Sequence, residues 1–191
     1  IRYATSRRVL AEAGESVERF LGSGITELKE KLGPVNWQLP PTKRFEPDDF
    51  AAFLALLPKS VDGVAIRHVV EARHDSFRTP DAVALLREHG VGIVVADKDE
   101  FPAINDVTAS FVYVRLQRAS EKLAAGYAPR ELDRWAGRAK AWAAGGVPDD
   151  LPLLAPAPKK SAARDVFVYM INGFKPKAPA AAMALLKRLA A

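Results

Sequence analysis

The feature that most constrains the fold is a series of five short apolar runs separated by segments with helical periodicity. Each run is rich in valine, isoleucine or aromatic residues, as strands buried on both faces are. The runs cover 35–39, 64–71, 91–96, 111–116 and 166–171. Because strands and helices are expected to alternate in units of roughly 30 residues, the sequence predicts a parallel α/β architecture.

Helices are predicted from apolar residues that recur every three or four positions and from the residues at their ends. Thr79 and Pro80 are typical of a helix start, and Gly90 of a helix end. The other predicted helices cover 6–22, 25–32, 47–57, 130–144 and 178–190. Residues 145–165 are rich in proline, so we expect a surface loop there, within a single domain that covers 1–191.

Composition excludes several classes of protein. The absence of cysteine excludes disulfides, thiolate zinc sites and cysteine nucleophiles, and it agrees with a cytoplasmic location. No apolar run is long enough to span a bilayer, so no membrane partner is expected. No glycine-rich phosphate loop follows a predicted strand, which argues against a dinucleotide-binding or P-loop protein. The net charge of +5 allows an anionic partner, but the basic residues are scattered, as they are on an ordinary solvated surface.

Polar residues gather at the carboxyl ends of the apolar runs, whereas the amino ends are apolar. In a parallel sheet these carboxyl ends lie at one edge, where α/β proteins bind their ligands. The candidates at or just beyond this edge are Gln38, Glu71, Arg73, His74, Asp97, Arg115 and Asn172. We expect the side chains of Glu71, Arg73, Asp97 and Arg115 to line one pocket, where any bound anion or metal would lie.

The three proposed catalytic residues each have a chemical and a structural interpretation. Glu71 is a general base or a ligand to a hard metal ion, or else it forms a buried ion pair with Arg73 or Arg115. His74 is an acid/base group or a metal ligand. Asp97 ends an apolar strand, as catalytic carboxylates often do, or it forms a cap or a salt bridge in the following loop.

The remaining candidates are predicted to bind substrate. Arg73 and Arg115 suit a phosphate or carboxylate, because guanidinium groups bind such anions through paired hydrogen bonds; the alternative is charge balance for the nearby carboxylates. Gln38 and Asn172 are neutral groups suited to orienting a ligand. The cofactor is left open, because a divalent metal needs several converging ligands. His68, in mid-strand, is predicted to be a hydrogen-bonded core residue.

Four segments of the chain match motifs of one family in the same order. Residues 31–41 (KLGPVNWQLPP) resemble the K-L-G-P signature of the YecE-like family, also called domain of unknown function seventy-two. Residues 70–74 (VEARH) resemble its V-E-x-R-H segment. Residues 112–116 (VYVRL) are similar to its Y-x-R-L/F strand, and 166–172 (VFVYMIN) to its V-Y-V-Y-F-N-N strand. The resemblance spans about residues 1–190.

The resemblance implies a TIM-like (β/α) barrel of roughly 250 residues, of which this chain would hold five consecutive βα units. The glycine-rich first strand and F-Y-P loop of the family are not found, so we expect the first three barrel strands to be absent from this chain. Two departures matter. Gln117-Arg118 replace a frequent His-Gly, and Ile171-Asn172-Gly173 replace a frequent N-N-D. A role built on that His or Asp is therefore not carried over.

Two functional hypotheses follow from the residues. In the first, the protein is a hydrolase or a phosphoryl-handling enzyme that binds a phosphate-containing or other small anionic substrate through Arg73 and Arg115. Glu71, His74 and Asp97 then supply acid/base groups or metal ligands. In the alternative, the protein is a non-catalytic module that binds nucleic acid or another polyanion. The basic residues concerned are Lys43, Arg44, Lys159, Lys160, Lys175 and Lys177.

Overall fold

The centre of the protein is a sheet of five parallel strands, seen in a computed structural model that describes residues 2–159, 162–171 and 173–190. The strands are β1 (Val35–Gln38), β2 (Ser60–Val61), β3 (Val64–Ala65), β4 (His68–Glu71), β5 (Gly92–Asp97), β6 (Phe111–Leu116) and β7 (Asp165–Met170). The central sheet has the order β1-β4-β5-β6-β7, and all neighbours in it are parallel. The predicted parallel α/β architecture is therefore confirmed.

Helices follow most of the strands, near the predicted positions. The α-helices are α1 (Arg2–Thr5), α2 (Gly14–Leu21), α3 (Pro47–Ala55), α4 (Pro80–His89), α5 (Pro129–Ala143) and α6 (Ala178–Ala190). Short 3₁₀ helices cover Leu10–Ala13, Ile25–Lys31, Asp75–Phe77 and Lys175–Lys177. The start of α4 is confirmed, because the Thr79 hydroxyl accepts a hydrogen bond from the Ala82 amide at 3.3 Å. Among the described residues, no helix is long and apolar enough to cross a membrane.

The predicted strand 64–71 is wrong in its first half. Val64–Ala65 pairs antiparallel with Ser60–Val61 as a small hairpin, and the parallel strand begins only at His68. Asp62 and Gly63 form the turn, with φ angles of 49° and 76°. An Asp-Gly pair between apolar residues is a strong signal for such a turn. The hairpin thus takes the place of the first half of the predicted strand.

Two further segments differ from the predicted alternation of strands and helices. The predicted helix 6–22 is interrupted, because Leu10–Ala13 forms a 3₁₀ helix before α2 begins at Gly14. No helix joins β5 to β6, and the connection 98–110 crosses the carboxyl edge as a loop. The described part of 145–164 forms no helix or strand. It is held by the Asp106 carboxylate, which accepts hydrogen bonds from the amides of Leu154 and Ala155, both at 3.0 Å.

The central sheet has two faces of different character, because side chains alternate along each strand. The helix-covered face carries Trp37, Val70, Val95 and Val114, which pack into the main cores with residues of the helices. The opposite face, here called the concave face, is defined by the strand register. Its residues are Asn36, Gln38, Val69, Glu71, Gly92, Val94, Ala96, Phe111, Tyr113, Arg115, Asp165, Phe167 and Tyr169.

Contacts across the concave face show that the sheet curves strongly. Arg67, which precedes β4, forms an ion pair of 2.6 Å with Asp165 of β7, although two strands lie between them. A Cβ atom placed on Gly33, just before β1, would lie 3.7 Å from the Tyr169 hydroxyl oxygen. β1 and β7 are the two edges of the sheet. In a flat sheet these edges would be about 19 Å apart, four strand spacings of about 4.8 Å.

Candidate functional site

A polar network joins three strands at the carboxyl end of the concave face. The Glu71 carboxylate accepts hydrogen bonds through Oε1 from Arg73 Nε at 3.0 Å and Arg73 Nη2 at 2.9 Å. Its Oε2 accepts from Arg115 Nη1 and from Asn36 Nδ2, the latter at 3.2 Å. Gln38 Oε1 accepts from Arg73 at 2.6 Å and from Arg115 at 3.3 Å. The predicted convergence of these residues is therefore confirmed for Gln38, Glu71, Arg73 and Arg115.

The strand register explains how residues so distant in sequence meet. Gln38 of β1 lies directly beside Glu71 of β4. Arg115 of β6 lies beside Ala96 of β5, whose side chain is a single methyl group. The Arg115 side chain can therefore pass over β5 and reach Glu71 on the strand beyond it. A larger residue at position 96 would fill this path.

The network carries an excess of positive charge. Two guanidinium groups share one carboxylate, and the Glu71 side chain is only 1% exposed. Burial lowers the pKa of both Arg73 and Arg115, yet a guanidinium stays protonated at neutral pH. The Arg73 guanidinium also lies 4.5 Å from the centre of the Phe101 ring. Both arginines remain partly exposed, so the extra charge faces the carboxyl edge.

Glu71 is suited to hold the arginines rather than to accept a proton from a substrate. Both of its oxygens already accept two hydrogen bonds each. Hydrogen bonds to the charged form favour the carboxylate and fix the guanidinium planes. The arrangement can therefore bind an anion through the remaining N–H groups of Arg73 and Arg115.

His74 lies beside this network in sequence but is held by other partners. Its Nδ1 accepts a hydrogen bond from the Ser76 amide at 3.1 Å and lies 2.8 Å from Ser76 Oγ. Ser76 Oγ accepts in turn from the Phe45 amide at 2.7 Å. These bonds cap the 3₁₀ helix Asp75–Phe77. A catalytic role for His74 stays a prediction, and its observed contacts hold a loop in place.

Asp97 does not share a pocket with Glu71, Arg73 and Arg115, so that part of the prediction is wrong. Asp97 lies in register with Leu116, one residue beyond the pair Ala96 and Arg115. Since successive side chains of a strand point to opposite faces, Asp97 lies on the helix-covered face. There its Oδ1 forms an ion pair of 2.9 Å with Arg118 Nε, and Arg118 also binds Asp99 at 2.8 Å.

Asp97 borders a cavity of about 340 Å³ between the end of β5 and helix α5. Burial raises the pKa of the Asp97 carboxyl, and the charge of Arg118 offsets part of this effect. Asp97 Oδ2 is buried without a hydrogen-bond partner among the described residues. A second cavity, of about 370 Å³, lies near Arg87, Thr108 and Arg164. Neither cavity is lined by Glu71, Arg73 or Arg115.

The part of the chain that the structure describes contains no set of ligands for a metal ion. Within it, no three His, Asp or Glu residues lie close enough to hold a metal ion. Of the proposed ligands, Glu71 is bonded to arginines, His74 to Ser76, and Asp97 to Arg118 on the other face. Asn172, the remaining predicted substrate-binding residue, lies outside the described residues.

Two residues at the carboxyl edge were not among the predicted site residues. Asn36 lies on the same face as Gln38 two positions earlier, so the two-residue period of a strand would have found it. Arg118 follows β6 but gave no signal beyond its departure from a motif. In contrast, the core role predicted for His68 is confirmed. Its Nδ1 accepts from Trp37 Nε1 at 3.0 Å, and its Nε2 donates to the Pro58 carbonyl at 2.8 Å.

Comparison with known proteins places the chain in a family. No protein of curated function matches it significantly. A crystal structure of a DUF72 family protein from Thermotoga maritima MSB8 is similar to it, with a TM-score of 0.67 and 19% sequence identity, which supports the fold alone. The match covers 95% of this chain, and the chain spans about 66% of the Thermotoga protein. The family model described as "Protein of unknown function DUF72" matches residues 1–191. The chain therefore belongs to the DUF72 family, as its four motifs predicted.

Proposed function

We propose that the protein binds a small anionic substrate, bearing a phosphate or a carboxylate, at the carboxyl end of the concave face. One observation carries the proposal: two partly exposed guanidinium groups share a single buried carboxylate, which leaves one net positive charge. Glu71 and Gln38 hold Arg73 and Arg115 before a ligand arrives. Such preorganised arginines bind planar or tetrahedral oxyanions through paired hydrogen bonds.

The same arrangement supports the chemistry of a hydrolase or a phosphoryl-handling enzyme. Fixed guanidinium groups stabilise the negative charge that develops on acyl or phosphoryl oxygens in the transition state. In this proposal Arg73 and Arg115 contact the substrate, and Glu71 is a positioning residue.

We also propose that the curved sheet is part of a TIM-like barrel. The support is that β1 and β7, the edges of the sheet among the described residues, approach each other across the concave face. Unpaired strand edges that converge in this way are closed in barrels by further strands. An experimental structure of the protein that showed no strand bonded to either edge would contradict this proposal.

The anion proposal is tested by titrating the protein with inorganic phosphate and acetate in a calorimeter. We expect Arg73→Lys and Arg115→Lys each to weaken binding of the anion by at least about tenfold, because lysine lacks the several fixed N–H groups with which a guanidinium binds Glu71 and Gln38 and still presents donors to an anion. Arg138→Lys is the matched control, because Arg138 lies away from the site and donates to Asp150 through Nε and Nη2. Thermal melts establish that each variant is folded. Absence of phosphate and acetate binding to the unaltered protein, or equal weakening in the control, would contradict the proposal.

The nucleic-acid alternative has less support. Lys43, one of the basic residues it used, is only 10% exposed and lies 2.8 Å from Asp49 Oδ2. Its ammonium group also donates to the Arg8 carbonyl at 2.7 Å. Lys160 lies outside the described residues. Oligonucleotide binding that weakens steeply with salt would favour this alternative over the small-anion site.

A further inference from the structure

Tyr169 presents an exposed ring on the concave face. Among the described large apolar residues that are exposed, it is the one that belongs to this face, with 37% of its surface accessible. One side of its ring is covered by Tyr113, with ring centres 4.8 Å apart and planes inclined by 26°. The exposed fraction shows that Tyr113 does not cover the residue completely. A fixed ring with one open side is a stacking surface.

Tyr169 lies on the strand beside Arg115. Tyr169 and Arg115 are partners in the register of β7 and β6, so they stand side by side on the same face. Adjacent strands are about 4.8 Å apart. The Arg115 guanidinium extends from β6 toward Glu71, so a molecule that stacks on Tyr169 has to reach over β6 to bring its anionic group to the guanidinium. The chain at Gly33 lies close to the Tyr169 hydroxyl and borders this end of the face.

The ring is also held in place. Tyr113 is buried, and its pKa is raised to about 12 by burial and by the neighbouring Tyr169 hydroxyl. Because the buried Tyr113 ring stacks on Tyr169, it limits the positions that the Tyr169 ring can take. A ring that is fixed before binding loses little conformational freedom when a ligand stacks on it.

We propose that the substrate anion is carried on a planar aromatic ring, which stacks on the open side of Tyr169 while its phosphate or carboxylate binds Arg73 and Arg115. This inference rests on the proposed anion site and adds the chemical class of the group attached to the anion. The competing explanation is structural: Tyr169 would serve only to shield Tyr113 from water.

Matched pairs of probes separate these explanations. The probes are phenyl phosphate against inorganic phosphate, and benzoate against acetate, each titrated by calorimetry. We expect the aromatic member of the preferred pair to bind about tenfold more tightly, because it adds ring stacking and apolar burial to the same anionic contact. The pair that binds more strongly identifies phosphate or carboxylate as the anionic group.

Variants of Tyr169 complete the experiment. Tyr169→Thr keeps a residue suited to a strand but removes the ring, and we expect it to abolish the aromatic preference while phosphate affinity changes less than twofold. Tyr169→Phe is the control and is expected to keep the preference. If neither inorganic phosphate nor acetate binds the unaltered protein, the anion site itself is wrong. If either binds but the aromatic preference is absent, or survives in Tyr169→Thr, the anion site stands and the stacking inference is overturned.

Discussion

The two faces of the sheet carry opposite charge arrangements at the same carboxyl edge. On the concave face, one carboxylate, Glu71, lies between the guanidinium groups of Arg73 and Arg115. On the helix-covered face, one guanidinium, Arg118, lies between the carboxylates of Asp97 and Asp99. The first cluster has a net charge of +1 and the second a net charge of −1. The two faces of the sheet therefore carry local charges of opposite sign at this edge.

The clusters also differ in their exposure to water, which decides how much each contributes to stability. The Glu71 side chain is almost completely buried, whereas the Arg118 side chain is 47% exposed. Removal of one partner from a buried ion pair costs about 3–5 kcal/mol, because a charge is left without compensation. Exposed pairs contribute about 0–1 kcal/mol. The concave cluster is therefore expected to be the sensitive one.

The largest expected effect comes from Glu71→Gln, which keeps the shape of the side chain and removes its charge. Arg73 and Arg115 then face each other without a carboxylate between them, so the free energy of unfolding should fall by about 3 kcal/mol. Urea denaturation measures this change. Glu15→Gln is the control, since the pair of Glu15 with Arg19 is exposed and should contribute less than about 1 kcal/mol. Equal losses in the two variants would show that burial of the concave cluster has no energetic consequence.

An intermediate effect is expected from pH on the helix-covered face. Burial lowers the pKa of His68 below its ordinary value of 6.5, so the folded protein keeps this ring neutral. The unfolded chain takes up the proton first as pH falls below 6.5, and stability is lost there by up to about 1.4 kcal/mol per pH unit. Denaturation at pH 7.5 and 5.5 tests this. His68→Gln should show a smaller pH dependence than the unaltered protein, and an unchanged dependence would contradict the assignment.

The smallest effect is expected from Asp97→Asn. Burial raises the pKa of Asp97, so its ionised form destabilises the folded protein at neutral pH, while its partner Arg118 is half exposed. We expect the variant to be equal to the unaltered protein at pH 7, or more stable by up to about 1 kcal/mol. As pH falls, the folded protein protonates Asp97 before the unfolded chain does, so any advantage of the variant should shrink. A variant less stable by several kcal/mol would show that Asp97 and Arg118 form a structural pair.

The comparison also shows what the sequence could predict. Apolar runs located four of the five sheet strands within one or two residues, and Thr79, Pro80 and Gly90 set the bounds of α4. The edge of the sheet followed from strand direction alone. The face of the sheet on which each side chain lies could not be predicted in this way. When a strand is apolar on both faces, its sequence does not show to which face its last residue points. Asp97 was therefore grouped with residues that lie on the opposite side.

Other features depend on side-chain reach, which spacing in sequence does not contain. Arg115 meets Glu71 across β5, where the residue in register with Arg115 is the small Ala96. Likewise, the partners of His74 come from its own loop and from Phe45 through Ser76. These contacts are set by rotamers and by the curvature of the sheet rather than by periodicity.

Gly92 has a consequence for the passage of ligands. A Cβ atom at Gly92 would lie 3.1 Å from the Phe111 ring and 3.3 Å from Val69, so neighbouring side chains already occupy that space. Beside it, the Arg67 guanidinium lies 4.7 Å from the centre of the Phe167 ring. The amino end of the concave face is thus filled. A molecule held by Arg73 and Arg115 cannot pass through this packed end, so it reaches the two arginines without crossing the amino end of the sheet.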